Sequence, residues 1–368
     1  MWYWMLIIIA VMVAFALGVI YISAAIGHFG IIRKLSKDKK WPRRLISLSI
    51  VIVGILISGF TLNAVNAVII MLHVVAFFLL GALIMRIIKK LTKKEFKIYW
   101  QGWGAIAVSI VYLSVGYYLC NNVWQTDYML STDKQIGQLK VAVFADSHIG
   151  ATFGGEGFAK HMDTIMAGNP DIVLIPGDYV DDDTTREDMI KSCAALGKMK
   201  PKYGVWFSYG NHDKGYYGSE HRGFSAEDLE SELRKNNVHI MVDDVEVVDD
   251  LVIVGRKDSS TMRDRKELSE LLEGVYQSKY IIVMDHEPND YDAEAQTVAD
   301  LVVSGHTHGG QLLPVTYFGL WFGINDAIYG YEQRENTDFI VTSGIADWAI
   351  KFKTGTKSEY LMVNIKGK

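Results

Sequence analysis

The sequence predicts an α/β domain preceded by four transmembrane helices. Three observations lead to this prediction: long uncharged apolar stretches before residue 126, short β-branched runs separated by helical stretches from residue 140 onward, and a concentration of acidic residues in that second part. Strands that alternate with helices indicate a layered α/β domain. We therefore divide the 368 residues into a four-helix transmembrane domain at 1–123, a linker at 124–139 and a second domain at 140–368.

Four apolar stretches are long enough to cross a bilayer, because a hydrocarbon core about 30 Å thick requires roughly 20 apolar residues per helix. They lie at about 3–27, 45–62, 64–85 and 98–120. The first stretch is too long for the apolar region of a cleaved signal peptide, and a second follows closely. We therefore expect it to be retained as a membrane span.

The basic residues between these stretches predict an orientation. Residues 33–44 and 86–97 hold thirteen Lys and Arg, whereas the loop around 59–66 holds none. Basic loops face the cytoplasm, so both chain ends are expected outside. This predicts a multi-pass cell-membrane protein with an extracytoplasmic second domain and the lipid bilayer as a partner. The spans contain no carboxylate, which disfavours an ion or proton path through them.

Charge and cysteine content exclude several functions. The two basic loops contain only Asp38 and Glu95 as acidic residues, so the remaining 24 basic and 40 acidic residues lie beyond residue 126. A nucleic-acid partner requires a basic surface, and this acidic balance disfavours one. The two cysteines, Cys120 and Cys193, allow neither a disulfide framework nor a Cys-rich zinc site.

Eight short runs rich in β-branched residues predict mostly buried strands in the second domain. They are 140–145, 172–175, 205–209, 251–254, 280–284, 301–304, 339–343 and 360–365. The loops at the ends of such strands are where an α/β domain places its functional residues.

Residues with metal-binding side chains follow five of these strands. The motifs are Asp146-Ser-His148, Gly177-Asp178, Gly210-Asn211-His212-Asp213, Asp285-His286-Glu287 and Gly305-His306-Thr-His308. Carboxylates, amide oxygens and neutral imidazoles are ligands that suit Mn, Fe and Zn. Five of the ten histidines lie in these turns. The ordered co-occurrence of the motifs predicts two divalent metal ions at one edge of a sheet.

In the order of these motifs, residues 140–366 resemble the calcineurin-like metallophosphoesterase superfamily, and within it the membrane-associated bacterial branch. The resemblance implies a four-layer αββα sandwich, in which two mixed β-sheets are flanked by helices. It also implies a metal-dependent phosphoesterase. Such an enzyme would hydrolyse a phosphate mono- or diester by means of hydroxide activated at a dinuclear metal centre.

The resemblance also assigns roles to individual residues. The seven implied metal ligands are Asp146, His148 and His308 for the first ion, Asp178 for both ions, and Asn211, His286 and His306 for the second. His212 matches the histidine that contacts the phosphate and protonates the leaving group. Asp213 stands where many members carry Glu, and is the expected orienting partner of His212.

Some interpretations stay open at this point. A lipid-linked or envelope-derived ester is the favoured substrate because the domain is tethered beside a membrane. The alternative function is a membrane-anchored metal-binding sensor or scaffold without hydrolase activity. Residues 181–183 are interpreted as a solvated acidic loop, with outer-shell contacts at the metal site or recruitment of metal as the alternative. His221 is either a surface residue or a residue that overhangs the substrate. The aromatic stretch 317–331 is either packed core or an apolar wall near the metals that receives a lipid.

Overall fold

The computed structural model describes residues 2–368, with side chains from residue 5 onward. The chain divides into two compact units. One comprises the residues up to Tyr117 together with Ala349–Lys351, and the other comprises 118–348 and 352–368. Each unit is described separately below.

The first unit consists of helices, and four of the helices in residues 2–368 are long and apolar enough to cross a membrane, as predicted. They are α1 Trp2–Ile26, α3 Lys40–Thr61, α4 Ala64–Thr92 and α5 Trp100–Asn121, with a short α2 Gly30–Leu35 after the first. Helix α4 continues past the predicted end of its span because Arg86, Lys89 and Lys90, although charged, are good helix formers. Phe29, Val51 and Phe78 belong to a small core between these helices. Most other apolar side chains face outward, as a lipid environment requires.

The second unit contains two six-stranded mixed sheets within the described residues. In chain order the strands are β1 Val123–Ser131, β2 Gln138–Val143, β3 Ile172–Pro176, β4 Val205–Ser208, β5 Val238–Met241, β6 Asp244–Val248, β7 Leu251–Gly255, β8 Tyr280–Met284, β9 Leu301–Ser304, β10 Gly330–Arg334, β11 Thr337–Val341 and β12 Ser358–Lys366. The first sheet has the order β1-β12-β2-β3-β4-β5 and the second β10-β11-β9-β8-β7-β6.

The helices of this unit are α6 Gly155–Ala167, α7 Arg186–Lys198, α8 Ser219–Arg222, α9 Ala226–Lys235, α10 Leu268–Leu271, α11 Tyr291–Glu294 and α12 Phe318–Trp321. Helices α6, α7 and α9 pack on the outer face of the first sheet, and α10 and α11 on that of the second. Two further short helices, α8 and α12, lie in loops of this unit. Alternate residues of each strand enter different cores, since successive side chains point to opposite faces of a sheet. Val141 packs with Ile282 between the two sheets, whereas Ala142 packs with Phe158 of α6 on the outer face. The predicted four-layer αββα sandwich is thereby confirmed.

Part of the segment predicted as a linker, 124–139, is instead regular structure. Strand β1 pairs in parallel with β12 from Val123 to Ser131, and β2 begins at Gln138. Residues of β1 alternate between half-buried and exposed positions, because β1 is an edge strand. The edge strands β6 and β10 show similar alternation and were also absent from the predicted set. Edge strands lack the continuous apolar runs that identify buried strands.

Candidate metal centre

Parallel strands bring the predicted ligand turns together. Strands β2, β3 and β4 run parallel in the first sheet, and β8 and β9 run parallel in the second. Their carboxyl ends therefore lie side by side, which is where α/β sheets bind ligands. Each of the five predicted motifs directly follows one of these strands.

The metal-binding atoms form two groups of three. Those of Asp146, His148 and His308 all lie within 4.8 Å of one another, and so do those of Asp178, His286 and His306. These groups contain the same residues that the resemblance assigned to the first and second ions.

Asp178 lies between the two groups. Its Oδ2 atom is 3.2 Å from Nε2 of His286 and 3.6 Å from Nε2 of His148. Oδ1 of Asn211 is 3.1 Å from Nε2 of His286 and 2.9 Å from Nδ1 of His306, so the amide oxygen completes the second group. The arrangement allows one carboxylate to be shared by two ions.

The residues fit a pair of divalent cations. Nε2 of His148 is buried and has no hydrogen-bond partner among the described residues. Burial alone would lower the pKa of His148, but the hydrogen bond to Asp181 and the charge of Asp178 raise it to about 9. Burial would also lower the pKa of His286, but the charge of Asp178 and its hydrogen bond hold that pKa well above its usual value. The buried carboxylates therefore favour positive charge at this site. Divalent ions would supply that charge in place of the protons on the histidines.

Five of the proposed ligands have left-handed backbone conformations, which non-glycine residues seldom adopt. The φ angles are 55° at Asp146, 36° at His148, 52° at Asp178, 69° at His306 and 50° at His308. Such residues cost of order 1–3 kcal/mol each and concentrate at functional sites. Glycines permit the close turns: a Cβ at Gly305 would meet Oδ2 of Asp146 at 2.7 Å.

His212 lies beside the centre and outside both ligand groups. Its ring is 4.9 Å from that of His148, and its backbone N–H donates to Oδ1 of Asp178 at 2.8 Å. Burial lowers the pKa of the His212 imidazole, although Asp178 opposes this effect.

Asp213 makes contacts that differ from its predicted role as the orienting partner of His212. Its carboxylate accepts hydrogen bonds from the backbone N–H groups of Asp178, Tyr179, Val180 and Gly210, at 2.7–3.0 Å. These bonds fix the turn that carries Asp178. The contacts of Asp213 therefore favour a structural role in positioning the shared carboxylate.

Two further carboxylates contact the Nδ1 atoms of ligand histidines. The sequence favoured a solvated loop over an outer-shell role for Asp181, and it did not single out Asp347. Oδ2 of Asp181 lies 3.1 Å from Nδ1 of His148, so Asp181 is buried at the site and is not part of a solvated loop. Its spacing of three residues from Asp178 was the available signal. Oδ1 of Asp347 lies 2.9 Å from Nδ1 of His308. That contact deviates from ideal hydrogen-bond geometry, but neither atom has another hydrogen-bond partner among the described residues.

Asp347 belongs to a wholly buried network. Its Oδ2 atom is 3.4 Å from Nζ of Lys353 and accepts a hydrogen bond from Sγ of Cys120 at 3.1 Å. Carboxylates behind ligand histidines fix the ring orientation and raise its basicity, and losing one costs about 10–100-fold in metal affinity. Asp347 therefore has the position expected of a residue that orients His308.

Replacing Asp347 by Asn is expected to weaken binding of one of the two ions about tenfold, while binding of the other ion changes little. Calorimetric titration of the full-length chain with Mn measures both affinities. Asp300→Asn is the matched control, since Asp300 also pairs with a lysine, Lys134 at 2.5 Å, but lies at the amino end of β9. Equal affinities in the Asp347 variant and the wild type would contradict this role.

His221 lies in the short helix α8, with its ring 5.6 Å from that of Tyr217, and belongs to neither ligand group.

In the turn after β8, Asp285 pairs with Arg256 at 3.0 Å. His286 is therefore the ligand that this turn supplies.

Comparison with known proteins agrees with this geometry. Residues 139–310 match the family described as calcineurin-like phosphoesterase. A zebrafish (Danio rerio) transmembrane protein with a metallophosphoesterase domain is 30% identical over 244 residues, which are 63% of this chain and 54% of that protein. An uncharacterized metallophosphoesterase of Campylobacter jejuni is 28% identical over 277 residues, which are 72% of this chain and 68% of that protein.

The chain thus spans about half the length of the zebrafish relative. Among solved structures, a zebrafish dimetal phosphatase aligns with 58% of this chain and 88% of its own, at 11% identity and a TM-score of 0.35. The matched region contains the strands and turns that supply both ligand groups. Residues 139–310 of this chain are therefore similar to the calcineurin-like phosphoesterase family.

Proposed function

We propose that this chain is a membrane-anchored phosphoesterase that hydrolyses a phosphate mono- or diester with two divalent metal ions. The observation that supports it most strongly is the pairing of two three-residue ligand groups through the carboxylate of Asp178. A single structural ion would need only one such group. Two adjacent groups with a shared carboxylate suit in-line displacement at phosphorus.

Two bound ions would supply Lewis acidity, a lowered pKa of water and charge to stabilise the transition state. The protein holds the remaining groups in place. We assign to His212 a contact with the phosphate and donation of a proton to the leaving group, because its ring lies beside His148 but outside the ligand groups. Asp213 holds the turn that presents Asp178.

Tyr216 fixes the orientation of Asn211. Nδ2 of Asn211 donates to the hydroxyl of Tyr216 at 2.7 Å, so Oδ1 is directed toward His286 and His306. The backbone N–H of Tyr216 in turn donates to the carboxylate of Asp182 at 3.0 Å. An amide held in this way offers its oxygen to a metal without reorganisation.

A lipid-linked or envelope-derived ester is the proposed substrate, since four apolar helices tether the domain to a bilayer. The basic loops support an extracytoplasmic position for the domain. Labelling of a Tyr276→Cys variant by a membrane-impermeant maleimide in intact cells tests that position, because Tyr276 is highly exposed. Labelling only after the cells are permeabilised would contradict it.

The activity is tested with the full-length chain in detergent and two soluble esters, p-nitrophenyl phosphate and bis-p-nitrophenyl phosphate. We expect turnover of at least one ester that chelation abolishes and that Mn, Fe or Zn restores. The ratio of the two rates reports the preference for a mono- or diester. Absence of turnover with all three metals, in protein that binds the ions, would contradict the proposal.

A further inference from the structure

The segment from Leu313 to Ile324 exposes an unusual number of large apolar side chains. We name as the aromatic surface its members that are more than a third exposed: Leu313, Val315, Tyr317, Phe318, Leu320, Trp321, Phe322 and Ile324. Trp321 is 66% exposed and Phe322 is 72% exposed. Of the two alternatives left open for 317–331, packed core does not apply to Tyr317, Phe318, Leu320, Trp321, Phe322 and Ile324. Contiguous apolar surface of this kind marks a site of protein or membrane contact.

The composition of the aromatic surface favours a lipid bilayer over a protein partner. No Asp, Glu, Lys or Arg occurs from Leu301 to Asn325. Protein interfaces are enriched in Arg and Met as well as aromatic residues, and neither occurs from 312 to 325. Trp, Tyr and Phe without charged neighbours are typical of groups that enter the interfacial layer of a membrane.

The same chain carries four helices that could cross a membrane. The bilayer that holds them would therefore be present at a high effective concentration for the aromatic surface. Helix α5, one of the four apolar helices, ends at Asn121, and strand β1 of the second unit begins at Val123. A single residue, Asn122, therefore separates the last apolar helix from the first strand. Tethering makes weak insertion of a few aromatic side chains effective, because the second contact becomes intramolecular.

Part of the aromatic surface lines a cavity that reaches the residue next to a proposed metal ligand. Leu313, Tyr317 and Leu320 line a cavity of about 360 Å³ that extends to Gly309, the residue after His308. The charged residues in the cavity lining are Asp326 and Glu332. Two carboxylates repel a phosphate, whereas the apolar side chains accept a hydrocarbon group. An amphiphile would thus place its apolar part here and leave its phosphate for the metal centre.

We propose that the aromatic surface inserts into the interfacial layer of the lipid bilayer and that an amphiphilic phosphoester reaches the metal centre from there. The membrane contact is independent of catalysis. The second part rests on the proposed phosphoesterase function and narrows its substrate to a lipid.

The membrane contact is tested by spin labels on the full-length chain in nanodiscs of phosphatidylethanolamine and phosphatidylglycerol. Phe322→Cys and Tyr276→Cys form a matched pair, since the two aromatic residues are 72% and 71% exposed and the native cysteines are buried. We expect the label at 322 to collide preferentially with oxygen and the label at 276 with a water-soluble nickel chelate. Preferential collision of both labels with the nickel chelate would overturn the membrane contact.

The substrate part is tested by the double variant Trp321→Ser, Phe322→Ser. In the same nanodiscs, we expect hydrolysis of phosphatidic acid or phosphatidylglycerol to fall at least about tenfold, while turnover of the soluble nitrophenyl esters stays within about twofold. Wild-type protein that hydrolyses the soluble esters but neither lipid would overturn the substrate part, and so would a variant whose lipid hydrolysis is unchanged. Failure to hydrolyse any soluble ester would instead count against the phosphoesterase function, with the spin-label result still valid.

Discussion

The Asp178→Asn variant is expected to lose at least about 10³-fold in kcat/KM, because one carboxylate serves both metal groups. Its Oδ2 atom lies 3.2 Å from Nε2 of His286 and 3.6 Å from Nε2 of His148. An amide of the same shape carries no charge and offers one oxygen, so it offsets none of the charge of the two ions and bridges them poorly. The variant should therefore also bind fewer than two ions per chain.

Asp300→Asn provides the control for this change. It replaces a partly buried carboxylate of the same domain at the amino end of β9, remote from the turns that supply the ligands. Thermal unfolding of both variants in the presence of chelator separates loss of metal from loss of fold. Full metal content and wild-type turnover in the Asp178 variant would show that the carboxylate does not bridge two ions.

The second large effect is expected from His212→Gln, which should lower kcat about 10²–10⁴-fold while both ions remain bound. Retention of the metals follows from the position of His212 outside both ligand groups. Loss of activity follows from its place beside His148 and from its proposed proton donation. Steady-state kinetics together with metal analysis of the same sample measures both quantities.

His161→Gln is the matched control, because His161 packs against Phe153 at 4.9 Å and belongs to neither group. A His212 variant that loses its metals would identify His212 as a ligand. Wild-type activity equal to that of the His212 variant would favour the alternative function, a membrane-anchored metal-binding sensor or scaffold.

Local sequence patterns were sufficient to predict the buried strands and the ligand turns. Strands such as β3 and β8 are buried on both faces, so their apolar runs are continuous and easily recognised. The ligand residues lie within a few positions of those runs. Parallel pairing then brings the turns of each sheet together. The division of the ligands between two ions was implied by the family resemblance and did not follow from the local patterns.

Other features depend on contacts between distant residues. Strand β1 is half exposed, and it is recognisable as a strand only through its pairing with β12, more than 200 residues later. Asp347 approaches His308 across 39 residues, and no motif surrounds it. Trp321 and Phe322 are exposed, and composition alone could not distinguish such exposure from core packing.

The central claim is that five separate turns hold two divalent ions that share one carboxylate. The most direct measurement is the number of divalent ions bound by the purified full-length chain after metal removal and titration with Mn or Zn. We predict two ions per chain in the wild type and fewer in the Asp178→Asn variant. A wild-type chain that binds at most one ion would contradict this account.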